Sequence, residues 1–117
     1  MTQYLLSVVT PTEGAQPPTP GEMTAIMARV EAVQTRVREA GAWVFAGGLA
    51  APSSATVLRP QGDDVLLVDG PFAESKELIS GYAIIKVDSL AEAKAWTSRY
   101  ANILGDIEVD VREVSAR

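Results

Sequence analysis

The chain has 117 residues, of which 47% are hydrophobic and 21% charged, so it suits a single globular domain that buries roughly two thirds of its unfolded surface. Its net charge of −5 disfavours nucleic-acid binding, which needs clustered Lys and Arg. The sequence has neither Cys nor His, which excludes disulfides, thiolate nucleophiles and the commonest general base and metal ligand.

The first residues predict a cytoplasmic protein. The segment from Met1 to Val9 has no basic leader, and its apolar part is too short for a signal peptide or a membrane span. Residues 3–10 are rich in Leu, Val and Tyr, which predicts a first strand at a central position of a sheet. A proline-rich loop then occupies residues 11–20.

A long helix is predicted over about residues 20–40. Thr19 is a suitable N-cap, Pro20 suits the first turn and Glu22 completes a capping box. Apolar residues then recur every three or four positions, and Gly41 marks the end. The predicted inner stripe consists of Met23, Ile26, Met27, Val30, Val33 and Val37.

The second half of the chain predicts four more strands after a strand at 42–46. Segments 55–59 and 65–69 flank a polar Gly-containing stretch at 60–64, which indicates a hairpin with a loop longer than two residues. A strand at 82–87 follows, and the alternating segment 107–114 forms the last one. Between them, Ser89 and Glu92 form a capping box that opens a helix. Its predicted inner face is Leu90, Ala93, Trp96, Thr97 and Tyr100.

This order of elements predicts an α+β fold. It matches a ferredoxin-like split βαβ sheet with an added β-hairpin and two helices on one face. Helices on one side leave the other side of the sheet uncovered, and a second copy is the simplest way to bury it. We therefore expect a homodimer.

The stretch from Asp69 to Glu77 concentrates unusual residue types between two apolar runs. A structural interpretation is available, because Gly70 permits positive φ, Pro71 fixes a turn and Phe72 anchors it. A functional interpretation is stronger for Asp69, since a carboxylate at the end of a buried strand is a candidate general base once it is desolvated.

The charged half of the stretch, 74–77, is either a solvated turn or part of a site. Lys76 lies a few residues from Asp69 and Glu74, and a carboxylate beside an ammonium can hold an anion and move a proton. We therefore expect Asp69 and Lys76 to be the candidate catalytic residues. The expected ligand-binding residues are Arg59, Phe72, Glu74 and Tyr82.

Other site types are weaker. Hard cations bind carboxylates, which could come from Asp69, Glu74 and Glu77 or from the pair Asp63-Asp64. Neither spacing follows an established metal-binding loop. The pair Gly47-Gly48 lacks the Gly and Lys that a phosphate-binding loop requires. We therefore expect neither a metal nor another cofactor.

The motif from Asp69 to Glu77 resembles the signature of the DGPF subgroup of the YCII-related proteins, which are small bacterial proteins of largely unassigned activity. Further landmarks stand in the order typical of that family. They are Gly41, Gly48-Leu49, the strand from Ala55 to Arg59, Gly81-Tyr82, the helix start from Asp88 to Ala93, and Val111-Arg112.

The resemblance implies a dimeric α+β barrel of ferredoxin-like protomers, with the motif residues gathered in a cleft between sheet and helices. Two alternative roles follow, the first from the residues themselves and the second from the resemblance. One is a small-molecule binding protein, with or without enzyme activity, in which Arg59 and Lys76 hold an anionic group and Asp69 is the acid or base. The other is a non-catalytic accessory or regulatory protein, because some members are encoded beside extracytoplasmic-function sigma factors.

Two departures limit what the resemblance implies. Better-studied YCII-type relatives carry a His and Asp pair proposed as catalytic, and a chain without His cannot contain that pair. The Arg-Pro usual near the end of the family is Arg112-Glu113 here. A His-dependent enzyme is therefore excluded.

Overall fold

A computed structural model describes residues 1–11, 19–50, 52–70, 77–104 and 108–115. A short 3-10 turn, Pro52–Ser54, precedes the third strand. The helices and strands, in chain order, are β1 (Thr2–Pro11), α1 (Pro20–Glu39), β2 (Trp43–Gly48), β3 (Thr56–Gln61), β4 (Asp64–Asp69), β5 (Glu77–Val87), α2 (Leu90–Leu104) and β6 (Glu108–Glu113).

Four of the strands form one antiparallel sheet in the order β2-β5-β1-β6. Strand β1 lies at the centre, as its two apolar faces predict. The order is that of a split βαβ fold, in which each helix connects two strands that are not neighbours. Strands β3 and β4 form a separate two-stranded sheet. The predicted α+β ferredoxin-like fold with an added hairpin is therefore confirmed.

Both helices begin at the predicted caps. The Thr19 hydroxyl accepts a hydrogen bond from the Glu22 N–H at 3.2 Å, and the Ser89 hydroxyl accepts one from the Glu92 N–H at 3.2 Å. These bonds satisfy donors that the first turn of a helix leaves free. Helix α1 ends before Gly41, which has φ of 73° and so adopts the left-handed conformation that ends many helices.

The core lies between the helices and one face of the sheet. Val37, Leu6 and Ile85 are the largest fully buried side chains. Ala93 and Tyr100 of α2 belong to the same buried cluster. Because side chains alternate along a strand, the residues next to Leu6 and Ile85 point to the opposite face.

That opposite face, here called the open face, carries no helix. Leu5, Ser7, Tyr82 and Ile84 lie on it in the two central strands, and Phe45 lies on it in edge strand β2. Ser7 is buried even so, whereas the Phe45 side chain is 54% exposed. The open face is therefore largely apolar, and its β2 edge is more exposed to solvent than its centre.

The hairpin differs from its prediction in the length of its loop. Gln61 pairs with Asp64, so the loop has two residues, Gly62 and Asp63, rather than more than two. Gly62 has φ of 61°, which suits the first position of a tight hairpin turn. Pro60 pairs with Val65 one step from the turn, at a position where no N–H donates across the two strands. Proline, which has no N–H, is therefore tolerated there.

The predicted inner faces of both helices include residues that are exposed. Leu90 is 45% exposed, although Ala93 in the same first turn of α2 is fully buried. Met23 and Met27 are exposed because α1 contacts the core through its second half, where Val33 and Val37 are buried. Ile26 and Val30, which lie between these two groups, are half-buried.

Candidate functional site

The motif begins at the base of the hairpin, where the structure describes its first two residues. Asp69 ends β4 and pairs with Thr56 across the hairpin. Gly70 follows with φ of 96°, and its N–H donates a hydrogen bond of 2.6 Å to the Ala55 carbonyl. A residue with a side chain would be strained in this conformation. The prediction that Gly70 supplies positive φ is confirmed, and the turn fixes the direction in which the chain leaves Asp69.

Asp69 is exposed, which contradicts the expectation that it ends a buried strand. The apolar run before it, Val65 to Val68, belongs to a two-stranded hairpin and not to the main sheet. Val65, Leu66 and Leu67 are all exposed in the single chain. The Asp69 carboxylate therefore gains no desolvation from its own strand.

Arg59 and Asp69 lie on opposite faces of the hairpin. Arg59 pairs with Leu66, and Asp69 pairs with Thr56 three positions along the ladder. Since paired residues share a face and faces alternate, Arg59 shares its face with Val57 and Val68, and Asp69 shares its face with Leu58 and Leu67. Both side chains are exposed, but the single chain does not bring them to one ligand.

Tyr82 belongs to the four-stranded sheet rather than to the hairpin. It stands on the open face opposite Gly47 and beside Phe45, with ring centroids 6.0 Å apart and an angle of 33° between the rings. A methyl group at Gly47 would lie 3.4 Å from the Tyr82 hydroxyl oxygen, so the ring covers the glycine closely. Gly47 is thus a place where an aromatic ring packs on the backbone.

Phe72, Glu74 and Lys76 lie outside the residues that the structure describes. Their predicted roles stay predictions. Within the described ranges, no group of three or more acidic residues is arranged to hold a metal ion.

Two features of the sheet were not predicted. Ser7 is buried on the open face and pairs with Tyr82, so two hydroxyl-bearing residues face each other there. A bulge at Ser80 brings its hydroxyl to 2.7 Å from the Thr10 hydroxyl. Alternation along the first strand indicates the first feature, since Ser7 interrupts an apolar run. The second feature has a signal in Gly81, because a glycine inside a strand often marks a bulge.

The open face carries charges along one edge. Glu108, Asp110 and Arg112 of β6 pair with Val9, Ser7 and Leu5 respectively, which places all three on this face. The face thus combines an apolar centre with a charged border, a combination found where proteins bind small ligands or each other. Such a surface binds a ligand only after another layer covers it.

Among the described ionisable groups, Tyr100 has a shifted pKa, and it lies away from the open face. Burial of Tyr100, a residue of α2, raises the pKa of its phenol, and the positive charge of Arg38 opposes that shift. The residue belongs to the core between helices and sheet, so it does not contribute to the open face.

Comparison with known proteins identifies a family. The model of the YCII-related domain matches residues 5–115. An uncharacterized protein of Rhizobium meliloti (strain 1021) is 37% identical over 68 residues, which are 58% of this chain and 55% of that protein. The chain thus spans about half the length of this relative. In the part of the chain that the structure describes, neither helix is both long and apolar enough to cross a membrane.

Proposed function

The chain belongs to the YCII-related family, and we propose that it is a cytoplasmic member of the DGPF subgroup that binds a small anionic metabolite beside Asp69. In this proposal the protein works as a homodimer. Lys76 holds the anionic group, and Asp69 exchanges a proton with the ligand if the protein is an enzyme. Phe72, Glu74 and Tyr82 complete the walls of the site.

The observation that carries the proposal is the fixed turn at the base of the hairpin. The hydrogen bond from Gly70 to Ala55 closes the hairpin directly after Asp69, and the chain then continues into the segment that contains Lys76. A carboxylate at the end of a strand, followed within seven residues by an ammonium, is a minimal pair for anion binding and proton transfer.

Arg59 takes part in this proposal only from another chain. It lies on the hairpin face opposite to Asp69, so its own chain directs the two side chains to different sides of the hairpin. A homodimer supplies a second Arg59, which provides a planar donor group suited to carboxylate and phosphate.

Thermal unfolding in the presence of small anions tests the proposal. The probes are inorganic phosphate, acetate and succinate, added to the wild type and to Asp69→Asn and Lys76→Ala variants. A bound anion raises the melting temperature of the wild type by mass action, and Lys76→Ala should remove that rise. Asp63→Asn and Lys94→Ala are matched controls, because these exposed residues lie in the hairpin turn and on helix α2.

The outcome separates binding from a structural role. If Lys76→Ala lowers the melting temperature but leaves the response to every anion equal to that of the wild type, Lys76 does not bind the ligand. If the wild type itself responds to none of the probes, the protein is titrated calorimetrically with metabolite extracts fractionated by charge. An absence of heat in that titration contradicts the proposal.

A regulatory role is the second candidate, and the exposed apolar hairpin favours it. Leu58, Val65 and Leu67 are all more than half exposed, and a protein partner is one way to cover them. This role predicts a stoichiometric protein partner, such as a sigma-factor-linked protein, in a pull-down from the native host. A co-purified small anion without a protein partner supports the first role instead.

A further inference from the structure

Two hydroxyls lie together at one end of the four-stranded sheet, on the face that the helices cover. Thr10 Oγ1 and Ser80 Oγ are 2.7 Å apart at the bulge, where Ser80 is the extra residue of β5. Strand β1 keeps its alternation, so Thr10 shares the helix-covered face with the buried Leu6. Ser80 is exposed and Thr10 is half-buried. These two hydroxyls, here called the hydroxyl pair, are therefore open to a ligand.

The backbone around the bulge holds Ser80 in place. Its carbonyl accepts a hydrogen bond of 2.9 Å from the Leu49 N–H, so the end of β2 fixes it from the other side. Bulges often re-aim a side chain beside a functional site. The bond between two hydroxyls uses one of their two hydrogens, so the hydroxyl pair can still donate and accept. The Val8 carbonyl lies 3.4 Å from Ser80 Oγ, which is long for an O–H donor.

Next to the hydroxyl pair, the same face of the sheet has a floor of bare backbone. Gly48 and Gly81 pair across β2 and β5, and Gly81 lies two positions before the buried Ala83, which places both glycines on the helix-covered face. At Gly48, no described atom lies within 4 Å of the position that a Cβ would occupy. At Gly81, the described atoms near that position belong to the backbone of β2. No described side chain of a helix thus packs on this pair, here called the floor.

Helix α1 passes the floor with two exposed methionines. Strands β1 and β2 are both antiparallel to β5, so α1 runs back between them and ends beside Trp43, where Arg38 stacks at 4.4 Å from the ring centroid. Gly48 stands five positions after Trp43, a distance of about 17 Å along a strand. The same distance along a helix takes about eleven residues, which leads back from Arg38 to Met27. Met27 is 55% exposed and Met23 44%, so both lie near the level of the floor without being buried.

We infer that the hydroxyl pair, the floor and the two methionines bind the body of the ligand, and that the ligand is a hydroxylated aromatic acid. The inference deepens the proposed function and rests on it. The acid group is the anion of that proposal, and the cleft between α1 and the floor selects the rest of the molecule.

The chemistry of the cleft favours an aromatic body. A flat ring can rest on two paired glycines, since no side chain holds it away from the backbone, and a glycine inside a strand often marks such a close approach. Methionine sulfur makes favourable contacts with aromatic rings. A ring hydroxyl exchanges its water for a hydrogen bond with the hydroxyl pair. An aliphatic acid of the same charge has no flat face for the floor.

The cleft adjoins the candidate residues of the proposed function at both ends of their segment. Leu49, which bonds to the Ser80 carbonyl, begins the connector of residues 49–55, and the Ala55 carbonyl at its end accepts the hydrogen bond from Gly70. At the other end, Ser80 follows Lys76 by four positions in the sequence. A ligand held by its acid group beside this segment therefore has the floor and the hydroxyl pair within its neighbourhood.

Titration calorimetry of the wild type with benzoate, 3-hydroxybenzoate and 4-hydroxybenzoate tests the role of the hydroxyl pair. One of the two hydroxybenzoates should bind about fivefold more tightly than benzoate, because it gains a hydrogen bond. Ser80→Ala should remove this difference and leave benzoate binding within about twofold of the wild type. Ser98→Ala is the matched control, because its exposed hydroxyl donates to the Lys94 carbonyl on α2. A wild type that binds all three acids equally overturns the inference, whether or not the variant folds.

A second variant tests the floor. Gly48→Leu puts a side chain into the space above the floor, so it should weaken binding of the preferred hydroxybenzoate at least tenfold and leave the acetate response of the wild type in place. Ala95→Leu, at an exposed residue of α2, is the control for added bulk. If Gly48→Leu does not fold, Gly48→Ala takes its place, since a methyl group there meets no described atom within 4 Å. Hydroxybenzoate binding equal to that of the wild type in the folded variant overturns the inference.

The Lys76→Ala variant separates this inference from the proposed function. Hydroxybenzoate binding that depends on Ser80 and Gly48 but not on Lys76 contradicts the proposed anion site and leaves the cleft intact. An acetate response that depends on Lys76, together with equal binding of benzoate and both hydroxybenzoates, supports the proposed function and overturns the aromatic ligand.

Discussion

The hydroxyl of Tyr100 is buried between helix α2 and the sheet, and within the described residues no hydrogen-bond partner accompanies it. A buried polar atom without a partner loses its hydrogen bonds to water and gains none in return. Burial also raises the pKa of the phenol, while the charge of Arg38 acts in the opposite direction. The folded state therefore favours the protonated phenol.

Tyr100→Phe should stabilise the protein by about 1 kcal/mol near neutral pH, because it removes the unpaired hydroxyl and keeps the ring. The wild type should also lose stability as pH rises above about 10, the ordinary pKa of an unfolded tyrosine, since the unfolded state releases its proton first. The variant should lose less over that range. Urea unfolding between pH 8 and 11 measures both effects, and equal slopes in the two proteins would count against this account.

Gly48 and Gly81 show how closely the edge strand β2 packs against β5. They pair across β2 and β5, but an alanine methyl group at Gly81 would lie 3.3 Å from the Gly47 carbonyl oxygen, whereas at Gly48 no atom lies within 4 Å. Gly81→Ala should destabilise the protein by about 1 kcal/mol relative to Gly48→Ala, because the edge strand must shift. Chemical denaturation of the two variants checks the difference, and equal midpoints would show that β2 moves at no cost.

The two helices have the same kind of N-cap, but their first turns differ in burial. Both caps are hydroxyls that accept at 3.2 Å. The first turns of α1 carry the exposed Met23 and Met27, whereas Ala93, in the first turn of α2, is fully buried. The N-terminal half of α1 can therefore fray without disturbing the core, and the start of α2 cannot.

Ser89→Ala should lower the free energy of unfolding by about 1 kcal/mol, and Thr19→Ala by clearly less. Loss of the Thr19 cap should instead speed amide exchange in the first two turns of α1. Thr24→Ala is a suitable control, because its hydroxyl donates to the Pro20 carbonyl within the same helix and caps nothing. Equal losses of global stability from both cap variants would contradict this difference between the helices.

Local signals predicted most elements because each element depends on its own residues. Thr19 and Ser89 mark helix starts through chemistry that acts over three residues, and Gly41 and Gly70 mark turns through their own φ. The alternating pattern of β6 likewise depends only on its neighbours. These features give the fold without any long-range information.

Burial of the hairpin could not be predicted in the same way. An apolar run such as Val65 to Val68 has the same sequence pattern whether its cover comes from its own chain or from another one. The prediction of Asp69 as a general base depended on that burial. Register decides which face a residue occupies, and the observed pairing places Arg59 and Asp69 on opposite faces of the hairpin.

The whole molecule measures 47 × 41 × 18 Å, and the hairpin forms a sheet of its own beside the four-stranded sheet. The open face and the hairpin face that carries Leu58 and Leu67 are both apolar, and Asp69 lies on the second. In a single chain, Asp69 is exposed to solvent and Arg59 lies on the opposite face of the hairpin. The proposed homodimer would supply a second chain to cover Asp69 and a second Arg59.

A crystal structure of the protein, purified without tag-derived ligands, tests the central claim most directly through the electron density around Asp69. We predict a two-fold dimer in which Asp69 and Lys76 border one cleft, with density for a small anion within hydrogen-bonding distance of the Lys76 ammonium. A structure in which both side chains point into bulk solvent, with no cleft between them in any assembly, would contradict the claim.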